Sequence, residues 1–158
     1  MERSVIFSGR MVRAILAGRK SQTRRLAWRG GKPSRWQSIE RGDELWVREA
    51  WYPCKDGSGG VIYRANRGDD PQRIPWKSPL WLPREKSRIT LRVREAHIEP
   101  LQWLTEEDAI AEGARSVEDF GRVWREIHED PDAAWERNPA VVVVRFQVQS
   151  VADTRTAA

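Results

Sequence analysis

The 158-residue sequence has one cysteine, two histidines and no long apolar run. A single thiol, Cys54, excludes an internal disulfide framework and a cysteine-based zinc cluster. His97 and His128 lack partners at metal-ligand spacing, so neither a zinc site nor a histidine-based triad is indicated. There is no phosphate-cradling P-loop, and Gly57-Ser58-Gly59-Gly60 reads as a hairpin turn. No metal and no cofactor are therefore expected. No segment approaches the roughly 20 apolar residues of a membrane span. The start, Met1 to Phe7, lacks the apolar core of a secretion signal. The expectation is a cytoplasmic protein with no membrane partner.

What is present is charge and tryptophan. The net charge is +5, and charged residues make up 32% of the chain with a mean hydropathy of -0.71. Residues 1–36 carry ten Lys/Arg against one acid, Glu2, whereas residues 99–136 carry twelve Asp/Glu against three arginines. A basic region suits a phosphate-bearing ligand. The nine tryptophans serve core burial, and such rings also stack on bases. Hydrophobic residues at 39% suffice for one compact core. The length fits one domain over residues 1–148, with a flexible tail at 149–158.

The pattern along the chain is strand, helix, several strands, two helices, strand. Val5 to Ser8 reads as a strand, and Met11, Val12, Ile15 and Leu16 recur at helical spacing before Gly18. Leu45 to Glu49 and Val61 to Tyr63 read as strands, and the proline-rich stretch from Arg67 to Pro83 as an ordered loop. Ile89, Leu91 and Val93 alternate with Arg88, Thr90, Arg92 and Arg94, which predicts a half-buried strand with one basic face. Thr105 caps one helix ended by Gly113, and Ser116 caps the next, with a stripe of Val117, Phe120, Val123, Trp124 and Ile127. Ala140 to Val148 is a central strand. The order describes an α+β domain on a curved sheet or small β-barrel with flanking helices.

The run Gly18-Arg19-Lys20-Ser21-Gln22-Thr23-Arg24-Arg25 concentrates the chemistry. It reads as a polar, exposed turn after the first helix. A lysine and a threonine three residues apart share a face of a tight or helical turn. A neutral amine beside a hydroxyl makes a base and nucleophile pair. Nearby arginines favour the neutral amine, because like charge lowers a lysine pKa. The same arginines, Arg19, Arg24 and Arg25, are also candidates to hold a phosphate or another anionic group.

Gly18-x-Lys20-x-x-Thr23-x-Arg25 resembles the signature of the ASCH domain, a PUA-like fold. Many members have glutamate at the sixth signature position. Thr23 there is similar to the small bacterial amidohydrolases that deacetylate N4-acetylcytidine. The Gly42-Asp43-x-Leu45-Trp46-Val47-Arg48-Glu49 block, the Thr105 to Gly113 helix and Asn138-Pro139 are similar to phage and prophage ASCH proteins. The resemblance spans roughly residues 4–148. It implies a catalytic set of lysine, threonine and glutamate, matched by Lys20, Thr23 and Glu112. The stretch 52–87 is an insert relative to those shorter enzymes, and its Trp76 and Trp81 are candidates for a pocket wall. The implied partner is an acylated pyrimidine nucleoside. RNA is the alternative, bound by a non-catalytic PUA-like module or cut by a ribonuclease, with Arg88, Arg92 and Arg94 tracking the phosphate backbone.

Overall fold

The computed structural model describes residues 1–67 and 73–152. In chain order the elements are β1 (Glu2–Ile6), α1 (Gly9–Leu16), β2 (Gln22–Leu26), β3 (Trp28–Arg29), β4 (Lys32–Pro33), β5 (Glu44–Arg48), β6 (Trp51–Pro53), β7 (Val61–Tyr63), β8 (Ile89–Pro100), α2 (Glu106–Ala111), α3 (Val117–Ile127) and β9 (Ala140–Val151). Short 3-10 turns punctuate the connections. The class is α+β, as the sequence indicates. No helix among the described residues is long and apolar enough to cross a membrane.

The chain forms two compact units, and β8 and β9 run through both. The first unit holds residues 1–17, 43–92 and 148 onward. In it β1 pairs parallel with β5, Val5 opposite Val47, and β5 pairs antiparallel with the start of β8, Leu45 opposite Leu91. Val5, Val12, Ile15, Leu45, Val47, Ile89 and Leu91 are fully buried. Alternation puts every second strand residue on this apolar face. Arg88 was expected on a basic surface. It is instead buried, bonded through Nε and Nη2 to both oxygens of Glu49 at 3.0 and 2.8 Å and through Nη1 to Asn66. A second small cluster of Val61, Tyr63 and Leu82 packs against Trp51. The proline-rich loop is partly described; residues 68–72 lie outside the described set, and Pro79–Trp81 forms a 3-10 turn.

The second unit holds residues 18–42 and 93–147. Here the strand order is β8-β9-β2, and the antiparallel register of β2 on β9 puts Thr23 opposite Val144 and Leu26 opposite Val141. The run from Gly18 to Arg25 was expected as an exposed turn, and its second half, Gln22 to Arg25, continues with Leu26 as β2. In that strand Gln22, Thr23 and Arg24 are buried. Leu101, Leu104, Ala109, Phe120, Trp124, Val141 and Val143 make this unit's core. Both helices start as their caps require. Thr105 Oγ1 accepts from Asp108 N while the Asp108 carboxylate accepts from Thr105 N, and Ser116 Oγ accepts from Asp119 N. α2 ends where Gly113 adopts φ +91°, with Gly113 N on Ile110 O and Ala114 N on Ala109 O. That double bond is a Schellman stop, which needs a left-handed residue at this point. Its effect is to place Glu112 at the C-cap, directly after the last helical residue, Ala111.

Candidate functional site

Lys20 lies at the entrance to β2 and is only 5% exposed. Its Nζ donates to the backbone oxygen of Gln22 at 2.7 Å and to that of Glu112 at 2.6 Å. The main chain is fixed on both sides: Ser21 N donates to Ala111 O, and Phe146 N donates to Ser21 O. The amine is thus held between the end of α2 and β2. Its pKa falls from 10.5 to about 8. Burial is the largest cause, the Glu112 carboxylate opposes it, and Arg25 adds to it. Sequence reasoning named like charge as the cause. Desolvation outweighs it, because losing water penalises an ammonium more than one neighbouring cation does here. A neutral amine has two N–H groups, and two carbonyls are in place to receive them.

Glu112 is buried at 3% exposure, and its Oε2 is shut from water with no hydrogen-bond partner. Burial raises its carboxyl pKa above the ordinary range, while Lys20, Arg24, Arg25 and the Gln22 side chain pull it down. Thr23 and Arg25 share one face of β2, as residues two apart in a strand must. Arg25 Nε donates to Thr23 Oγ1 at 3.1 Å. The Arg25 guanidinium also lies over the Trp36 ring, 5.4 Å from its centroid. Burial first, then Arg35 and Arg29, lower the Arg25 pKa to about 10 against the pull of Glu112, so it stays charged at neutral pH.

Arg24 points to the other face. Its Nη2 donates to Asp108 at 3.3 Å, and its Nη1 lies 3.7 Å from Glu99. Arg24 is therefore the residue that ties the basic strand to the acidic helix. Arg19 is exposed. Trp76 is half-buried and Trp81 is 74% exposed, and both belong to the first unit. Within the second unit the bonds join Lys20 to Glu112 and Arg25 to Thr23, and the charges of Lys20, Arg24 and Arg25 all act on the Glu112 carboxyl.

A cleft of about 450 Å³ also opens in the second unit. The β3–β4 hairpin, with Trp28, Arg29, Gly30 and Gly31, lines one side, and the chain after α3, from Ile127 to Ala133, lines the other. His128 sits in its wall, stacked on Trp124 at 3.8 Å between centroids, with Nδ1 3.1 Å from Trp124 O. Sequence reasoning set His128 aside because it lacked a second metal ligand. The available signal was its spacing of four from Trp124, which places the two rings on one helix face.

No family model matches the sequence, and no curated protein matches it. Solved structures do. An ASCH domain from Lactobacillus crispatus superposes with a TM-score of 0.57 over 93% of this chain and 79% of that one, at 12% identity. The chain has the ASCH-domain fold. Two further structures share this fold. A hypothetical protein, PH0355, matches at 15% identity, TM-score 0.56, over 94% of this chain and 99% of that one. A protein from Enterococcus faecalis matches at 13% identity, TM-score 0.54, over 96% and 81%. Function on the ASCH fold must be argued from the site, since one fold hosts many activities.

Proposed function

We propose that this protein is a metal-independent amidohydrolase. Its substrate is an N4-acylated cytidine nucleoside, and its reaction converts N4-acetylcytidine and water to cytidine and acetate. The observation that carries this reading is Lys20: buried, with a pKa near 8, and with two carbonyls placed to take the N–H groups of its neutral form. General bases work best with a pKa close to the working pH. Lys20 takes the proton of Thr23 Oγ1 as that oxygen attacks the amide carbonyl. The Arg25 Nε–H on Thr23 Oγ1 favours the developing negative charge on oxygen. The C–N4 bond then breaks, and the amine leaves with the proton that Lys20 took from Thr23, which returns Lys20 to its neutral form, while the buried Glu112 carboxylate steadies the ammonium in between. The acyl group is left as an ester on Thr23. Water, deprotonated by Lys20, hydrolyses that ester and restores the enzyme.

The test is to incubate purified protein with N4-acetylcytidine and follow cytidine by chromatography. Turnover that disappears in Lys20→Arg and Thr23→Val supports the scheme. No turnover of any N4-acylcytidine, at high enzyme and several pH values, refutes it. A second reading is a non-catalytic RNA- or nucleotide-binding module, or a ribonuclease. It draws on the exposed Arg29, Lys32 and Arg35 of the second unit. Its mark is RNA affinity that falls steeply between two salt concentrations.

A further inference from the structure

The Lys20 chemistry uses neither the cleft nor His128. A carbonyl can only accept, so the Trp124 O contact fixes the hydrogen of His128 on Nδ1. Nε2 then bears a lone pair, on a half-buried ring that lines the cleft. Burial is the first cause that lowers the pKa of this imidazole, opposed by the Trp124 carbonyl and helped by Arg29 and Arg25. Two large apolar side chains of the lining are left open to water: Trp28, on the hairpin side, is 51% exposed, and Ile127, beside His128, 65%. The volume falls within the usual range for small-molecule sites. The charged lining is Glu129, Asp130 and Asp132 against Arg29, three acids to one cation. A phosphate is repelled by such a wall, whereas a neutral planar ring is not. The cleft adjoins the site along β2, because Leu26 lines it and the preceding Arg25 is bonded to Thr23.

We infer that this cleft receives the pyrimidine base of the substrate, with His128 Nε2 accepting a hydrogen bond from an N–H of the base and Trp28 and Ile127 forming its apolar walls. This rests on the amidohydrolase reading and adds two elements to it: a specificity residue, and a preference for free nucleosides over nucleotides.

The experiment titrates cytidine, the product, into the full-length protein. It follows the ring C–H signals of the two histidines by NMR, with His97→Gln assigning them. The His128 signals should shift saturably and those of His97 should stay. His128→Phe keeps a ring on Trp124 but loses Nε2, and should weaken cytidine binding about 5- to 10-fold, the worth of one hydrogen bond. Cytidine 5′-monophosphate should bind at least about tenfold more weakly than cytidine, one decade of affinity being about 1.4 kcal/mol. Cytidine binding that leaves His128 unmoved, or an unchanged affinity in His128→Phe, overturns the cleft assignment and leaves the Lys20 chemistry standing. A shifted His128 in a protein that never hydrolyses N4-acylcytidine overturns the chemistry and keeps the cleft. Absence of cytidine binding up to about 10 mM overturns the cleft as a base site. Tighter binding of the monophosphate overturns the charge argument.

Discussion

If Lys20 is the base of the proposed hydrolysis, its burial fixes the pH dependence of the rate. Lowering its pKa from 10.5 to about 8 corresponds to about 3 kcal/mol of discrimination against the charged form. At pH 7 roughly one molecule in ten then holds a neutral amine, against about one in 3,000 for an ordinary lysine. At pH 9 the neutral fraction is roughly nine in ten, so kcat/KM should rise about tenfold from pH 7 and level off. The midpoint should sit near 8. Glu112 holds the Lys20 pKa up, so Glu112→Gln should move that midpoint to lower pH. The assay is the initial rate of N4-acetylcytidine loss by absorbance, at substrate well below KM, from pH 6 to 10. A limb centred near 10.5 refutes the reasoning. So does a Glu112→Gln midpoint that moves upward, or a Lys20→Arg variant as active as the parent, since arginine cannot give up its proton.

Four more expectations follow from the same contacts. The unfolded chain keeps the Lys20 proton up to about 10.5 and the folded one releases it near 8, so folding gains stability as pH rises through that window. Urea unfolding at pH 7.5 and pH 10 should show a rise of up to about 3 kcal/mol in the parent relative to Lys20→Met. Thr23→Ser should retain partial turnover because the hydroxyl remains, while Thr23→Val should lose nearly all of it; full activity in Thr23→Val would exclude Thr23 as nucleophile. Arg88→Met leaves the Glu49 carboxylate buried and unpaired and should cost about 3–5 kcal/mol in thermal or urea unfolding. Thr105→Ala removes the cap on Asp108 N and should cost about 1 kcal/mol by the same measurement.

Local signals were read well and long-range ones poorly. The Thr105 and Ser116 caps, the Gly113 stop and the apolar strand from Ala140 are set by neighbours a few residues away. The run at 20–25 looked like a turn because nearly every residue in it is polar. It is a strand because polar partners arrive from far along the chain. Glu112 O receives Lys20, Asp108 receives Arg24, and Val144 lies opposite Thr23. Arg88 deceived in the same way, since alternation marks it as outward while Glu49 and Asn66 make its burial tolerable. Ile127 continues the apolar stripe of α3 yet stands 65% exposed, because the helix runs one turn past the core and ends at the cleft. Trp81, too, stays open where aromatic content alone suggests burial. Lys20 and Thr23 stand out in the sequence by their spacing and the arginines around them, Glu112 only through the family resemblance. Their enclosure, which sets the lysine's protonation, is a property of the folded unit.

The end of α2 has a consequence of its own. A six-residue helix has almost no persistence in isolation, because nucleation costs more than so few bonds return. The carbonyls of its final residues would ordinarily be left to solvent. Here Ala111 O is taken by the Ser21 amide and Glu112 O by the Lys20 amine. The Lys20 amine is therefore also a fastener, and α2 cannot fray without setting the lysine loose. Slow amide exchange at Ser21 would report that both open as one event. Any ligand that drew the amine off Glu112 O would loosen the helix carrying its partner, and the free protein would be more ordered there than the occupied one.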